Sequence, residues 1–248
     1  FFNPAPVMPL VEIVPSIATS PLISASARHL VDTWGKTTVL ASDTPGFIVN
    51  RIARPFYGES LRLLEEGVAD CATIDWSLTE LAGFKMGPFT LMDFIGNDVN
   101  FAVTSSVFEA TFYDPRYKPA LTQRRLVESG RLGRKSGQGY FDYSDGAAAP
   151  APNRDPALGA AIVDRVLAML VNEAADARLW QVATAADIEI AMTKGVNYPK
   201  GLLTWGDEIG PRRVLTILEA LQTEYGEDRY RPSPFLRRAV AQGRSLLT

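Results

Sequence analysis

Two short stretches of the chain carry residue types that chemistry needs. The first, Phe1-Phe-Asn-Pro-Ala-Pro-Val-Met-Pro-Leu-Val-Glu12, ends in a carboxylate on a brief apolar run. The second, Gly46-Phe-Ile-Val-Asn50-Arg51, sets an amide side chain where a helical pattern opens. Taken alone, Glu12 reads as a solvent-facing strand residue, and Asn50 as a helix-start residue satisfying backbone donors. The one histidine, His29, falls in the middle of a helical stretch and reads as a helix residue. Gly137-Gln-Gly139 lacks both a third glycine and a preceding strand, so it reads as a turn before Tyr140–Tyr143 and not as a dinucleotide loop. Arg124, Arg125, Arg131, Arg134 and Lys135 form a basic cluster whose default reading is a solvated face.

The elements that must position these residues follow from pattern. Leu10–Val14 is an apolar run between prolines and predicts a buried strand. Thr19-Ser20-Pro21 supplies a capping hydroxyl and a first-turn proline for a helix running to about Trp34 and stopping at Gly35. Thr37–Leu40 is β-branched and apolar, which predicts a second strand. Strand–helix–strand is one unit of a parallel sheet. Two strands cannot bury both faces of such a sheet, and their unpaired edges invite another chain. Residues 1–45 therefore read as the tail of a larger α/β domain.

From Phe47 the period becomes helical. Ile48, Ile52, Phe56 and Leu63 predict one helix of about 18 residues, kinked at Pro55, which lacks a backbone donor. Further helices are predicted near 73–82, 88–96, 97–112 and 119–129. Residues 144–155, SDGAAAPAPNRD, read as a linker.

Beyond it the chain repeats itself. Residues 48–96 align without a gap on 162–210, at an offset of 114, with 14 of 49 positions identical. Arg51/Arg165, Glu59/Glu173, Gly87/Gly201, Asp93/Asp207 and Gly96/Gly210 are among them. The match resumes at an offset of 113, where Arg116-Tyr-Lys-Pro119 meets Arg229-Tyr-Arg-Pro232. Two copies of one all-helical unit, 46–143 and 156–248, are the expected organisation, which argues for duplication and not a solenoid. Asp164 stands where the first copy has Asn50, and it reads as structural because no motif strand precedes it.

Net charge is −3 and the pI is near 5.3, against a nucleic-acid binder with a basic phosphate-facing surface. Hydrophobic content of 46% with 21% charged residues suits a globular chain of one large or two small domains. No apolar run is long enough to span a bilayer. Cys71 is the only cysteine, so an internal disulfide and a cysteine metal cluster are excluded, and a cytoplasmic location is expected.

Four stretches together, FFNPAPVMPLVE, DTPGFIVNR (43–51), GFKMGPFTLMDFIG (83–96) and GRLGRKSGQGYFDY (130–143), resemble the 3-hydroxyacyl-CoA dehydrogenases in wording, order and spacing. The doubled helical part is most similar to the long 3-hydroxybutyryl- and 3-hydroxyadipyl-CoA dehydrogenases. The resemblance implies a remnant of a Rossmann domain followed by two tandem copies of the helical 6-phosphogluconate-dehydrogenase-like domain. It implies NAD as cofactor and an acyl-CoA as substrate, with oxidation of a 3-hydroxyacyl-CoA to the 3-oxoacyl-CoA. In that family a histidine takes the hydroxyl proton, a glutamate backs the histidine, and an asparagine holds the substrate oxygen near the nicotinamide. Those roles fall on Glu12 and Asn50; the histidine belongs immediately before Phe1, and the glycine-rich cofactor loop lies further upstream. The chain by itself is accordingly expected to be inactive. Single-copy relatives dimerise through the helical domain, so a homodimer through that surface, or a second copy filling it internally, is implied. Two other readings stand beside this one: a non-catalytic helical assembly module, and a sugar-acid dehydrogenase of the lambda-crystallin type.

Overall fold

The computed structural model describes residues 1–248 as a mainly helical chain with one short sheet near its start. Strands β1 (Leu10–Ile13) and β2 (Thr37–Leu40) pair in parallel, Leu10 opposite Thr37 and Ile13 opposite Leu40. Helix α1 (Pro21–Thr33) connects them. Its start and stop are those the sequence predicts: Ser20 Oγ accepts from the Ile23 amide, Pro21 opens the first turn, and Gly35 leaves at a left-handed φ of +74°.

Gly46 and Phe47 both take positive φ, turning the chain sharply into α2 (Val49–Ile52). The expected single kinked helix does not form. The chain breaks at Ala53 and resumes as α3 (Arg54–Glu65). Pro55 offers no N–H to the Arg51 carbonyl and crowds it, which is enough to part the two helices. There follow α4 (Cys71–Trp76) continuing into a π-helical turn to Leu81, α5 (Pro88–Ile95), α6 (Asn97–Ala110) and α7 (Leu121–Glu128). After residues 144–155, which hold no regular element, come α8 (Pro156–Leu179), α9 (Ala185–Gly195), α10 (Leu202–Ile209), α11 (Pro211–Tyr225) and α12 (Pro234–Gln242).

The chain packs as two compact units that do not follow this linear order. One comprises Phe1–Ala53, Leu170–Tyr225 and Arg231–Thr248; the other Arg54–Met169 and Gly226–Tyr230. In the first unit α9 packs on both strands, as does α1. Successive residues Leu10 and Val11, and Thr38 and Val39, are all buried. Neighbouring strand residues point to opposite faces, so each face is buried over part of its length, while Leu40 stays 39% exposed. Part of that burial comes from α9, a helix from beyond residues 144–155.

In the second unit, Asp93 on α5 is buried and gathers the loop that follows α7. Its carboxylate accepts from the amides of Tyr140 and Phe141, from Tyr143 Oη and from Asn97 Nδ2. No helix is long and apolar enough to cross a membrane.

Candidate active site

Glu12 is the third residue of β1, half-buried, with its side chain at the start of α2. Its Oε1 accepts from the amides of Ile48 at 2.9 Å and Val49 at 3.0 Å. These are the amides that a helix start leaves without intrahelical partners, so one carboxylate oxygen caps the helix bearing Asn50. The positive φ of Gly46 and Phe47 aims those amides back at β1. A Cβ on Gly46 would meet the Arg51 amide nitrogen at 2.8 Å, so the turn admits only glycine there. Phe47, at φ 46°, holds a left-handed conformation that a bulky residue adopts at a cost of order 1–3 kcal/mol.

Burial pushes the Glu12 carboxyl above its ordinary value, and the two amides pull it partly back. Asn50 follows Val49 directly and is half-buried on α2. The two predicted site residues are thus brought together, one holding the helix that carries the other.

The remaining candidates fall elsewhere. His29 is exposed on α1. Asp164, aligned with Asn50, lies inside α8 two turns after it begins at Pro156, where no strand carboxylate caps a helix start. Burial pushes the Cys71 thiol up to about 12, with Asp75, Asp70 and Asp93 adding to the rise, so it stays protonated and is no nucleophile. In the basic cluster Arg124 pairs with Glu128, Lys135 with Asp98, and Arg134 lies over the Phe94 and Tyr143 rings. No group of His, Cys, Asp and Glu is placed to hold a metal ion.

No glycine stands between β1 and α1, Pro21 removes one donor from the helix start, and Ser20 already occupies the Ile23 amide. A cleft of about 460 Å³ opens past the carboxyl ends of both strands, lined by Pro15, Ala41, Ser42, Arg178 and Thr184 among others.

Two contacts at the site were not anticipated from sequence. Arg51 Nε donates to Glu173 Oε1 at 2.9 Å, and both are buried. Gly195 at the end of α9 packs against Leu10 and Val49. The one available signal was the repeat, which conserves both members of the Arg51/Arg165 and Glu59/Glu173 pairs between its two halves.

The sequence model of the 3-hydroxyacyl-CoA dehydrogenase C-terminal domain matches residues 46–143 and again 162–246. That of the 3-hydroxyacyl-CoA dehydrogenase NAD-binding domain matches residues 1–44. A 3-hydroxyadipyl-CoA dehydrogenase of Escherichia coli is 39% identical over 322 residues, covering 96% of this chain and 68% of that protein. The aligned span is longer than this chain, so the relative carries residues inside it that the chain lacks. The crystal structure of 3-hydroxybutyryl-CoA dehydrogenase from Escherichia coli superposes with a TM-score of 0.88 at 37% identity, covering 98% of this chain and 70% of that one. The (S)-3-hydroxybutyryl-CoA dehydrogenase of Ralstonia eutropha gives a TM-score of 0.56 at 39% identity, over 58% of this chain and 51% of that one. The chain belongs to the NAD-dependent 3-hydroxyacyl-CoA dehydrogenase family.

Proposed function

We propose that this chain carries part of the active site of an enzyme that oxidises (S)-3-hydroxyacyl-CoA to 3-oxoacyl-CoA with NAD as the oxidant. Glu12 is read as the carboxylate behind an imidazole, and Asn50 as the amide that holds the substrate oxygen. One observation carries the reading: Glu12 Oε1 is used by the Ile48 and Val49 amides, so the strand carboxylate is fixed to the helix that bears Asn50. In this reading the second carboxylate oxygen is kept for a histidine. The carboxylate would orient the ring and stabilise the imidazolium formed as the hydroxyl proton is taken. No glycine-rich cofactor loop stands among these residues, so the chain by itself is expected to be inactive. Calorimetric titration of the 248-residue chain with NAD should give no heat above dilution. Joined to a dinucleotide domain and the histidine, it should turn over, and Glu12→Gln should lower kcat by about 10²–10⁴-fold. Unchanged kcat in that variant would refute the role.

The chain is further read as two tandem helical copies, 46–143 and 156–248 with a linker at 144–155, after a Rossmann remnant at 1–45. Matching bonds at matched positions support this. Asp75 accepts from the Phe89 and Thr90 amides, and Glu189, 114 residues on, accepts from those of Leu203 and Thr204. Gly96 and Gly210 share one unusual backbone conformation, at φ 106° and 95°. Arg51–Glu173 and Arg165–Glu59 are the same ion pair with the copies exchanged, as in a two-fold interface. The second copy is therefore read as filling internally the surface a dimer partner would use. Sedimentation equilibrium at several concentrations should return a monomer, and a dimer would show that a further helical surface is used.

A further inference from the structure

Residues from beyond the linker reach the start of α2. Arg51 is the residue after Asn50, and its buried guanidinium is held by Glu173 on α8, 122 positions along the chain. Gly195 ends α9 against the two elements of the site. A Cβ there would come within 2.6 Å of Leu10 Cδ2 on β1 and 3.0 Å of Val49 Cγ2 on α2. The chain between them closes the same unit: the Ser42 amide donates to the Val182 carbonyl and Ser42 Oγ to the Gln181 carbonyl, both at 2.8 Å. So β1 with Glu12 and α2 with Asn50 are both held by one later segment, and the Glu12 bond to Ile48 and Val49 spans the gap that segment fixes.

We propose that Glu173 and Gly195 are positioning residues for the Glu12–Asn50 site. Glu173 sets the rotation of α2 through Arg51, and the bare face of Gly195 sets how closely α2 and β1 approach. The proposal rests on the reading of Glu12 and Asn50 as site residues and deepens it. The second helical segment then supplies more than an association surface, because it fixes the geometry of a site whose reacting groups lie outside it. No larger residue at 195 keeps that approach without moving Leu10 or Val49.

A buried ion pair that serves only the fold would not act in this way, and the molecule contains the control. Arg165 Nε donates to Glu59 Oε2 at 3.0 Å with equal burial, in the unit that lacks β1 and α2. Amide hydrogen exchange on the 248-residue chain, read at Ile48 and Val49 relative to Leu203, separates the two roles. Glu173→Gln should speed Ile48 and Val49 by about tenfold in that ratio, whereas Glu59→Gln should leave it unchanged. Loss of the two amides also removes what lowers the Glu12 carboxyl, so its NMR titration should move to higher pH in Glu173→Gln and stay in place in Glu59→Gln. Gly195→Ala, with the ion pair intact, should act in the same direction on both readouts. If neither Glu173→Gln nor Gly195→Ala moves them, or Glu59→Gln moves them equally, the positioning role is overturned. None of these readouts needs turnover, so failure of the dehydrogenase reading would show separately, in the assay of the joined enzyme.

Discussion

The stretch beginning at Gly46 and the one beginning at Pro156 use the same internal bonds but start differently. In the first, two left-handed residues and a short helix present bare amides to Glu12. In the second, α8 runs 24 residues without a break, and the position matching Asn50 is already deep inside it. Proline 55 accounts for part of this: the aligned residue is Met169, which continues a helix that proline interrupts. Their surfaces diverge too. Phe94 and Val99 are exposed in the first, where Glu208 and Arg213 stand in the second. The matched ion pairs and caps thus recur in both stretches, while only one has a helix start open to a strand carboxylate.

The comparison can be broken most severely at the exchanged ion pairs. Glu59 serves Arg165, Arg62 and Tyr230 Oη, while Glu173 serves Arg51. Removing one member of a buried pair strands the other charge, at about 3–5 kcal/mol. Glu59→Ala and Glu173→Ala should each lose stability in that range, measured as the shift of a urea midpoint at constant m. A loss below about 1 kcal/mol at either residue would mean that its pair contributes little to the fold.

Local pattern made much of the fold readable. Ser20-Pro21 and Gly35 bound α1, Gly87-Pro88 and Gly96 bound α5, and the apolar runs marked both strands, because caps and turns act over a few residues. Glu12 and Asn50 were legible only through the wording of their motifs. What stayed hidden was long-range. Nothing near Ala185–Gly195 says that this helix covers β1 and β2, and nothing near Glu12 says that its acceptors' donors lie 36 and 37 residues on. The break at Ala53 was misplaced because Pro55 acts on the carbonyl four residues earlier, so the interruption precedes the proline that causes it.

The matched carboxylate caps sharpen the comparison at intermediate cost. Burial raises Asp75 to about 6 from an ordinary 3.8, Asp93 nearby adds to the rise, and the Thr90 and Phe89 donors offset only part of it. A carboxyl raised on folding favours the fold most below its unfolded value, and that contribution is lost as pH rises through the folded value. Between about pH 4 and 6, Asp75 should therefore cost the protein about 3 kcal/mol of stability. Asp75→Asn should gain on the wild type across that window, read from urea midpoints at successive pH values. A difference between the two proteins that does not change with pH would mean Asp75 ionises normally.

The smallest effect lies at the glycines that face these caps. Gly87 and Gly201 precede α5 and α10 with ordinary extended backbone, φ −72° and −65°, so alanine brings no backbone strain at either. The cost is purely steric, since an added Cβ meets the Asp75 carboxyl in one case and the Glu189 carboxyl in the other. Asp75 is buried and tied to the Phe89 and Thr90 amides and to Thr90 Oγ1. Glu189 is half-buried, has one more methylene, and accepts from the Leu203 and Thr204 amides. The longer side chain can withdraw toward solvent and keep a bond, whereas the shorter one must drag its helix. Overpacking of this kind costs about 1–3 kcal/mol, so Gly87→Ala should fall near the upper end and Gly201→Ala near the lower. A thermal melt of each variant against wild type decides it. Equal losses would show that the two caps are as rigid as each other, and that the difference between the halves is confined to how their first helices begin.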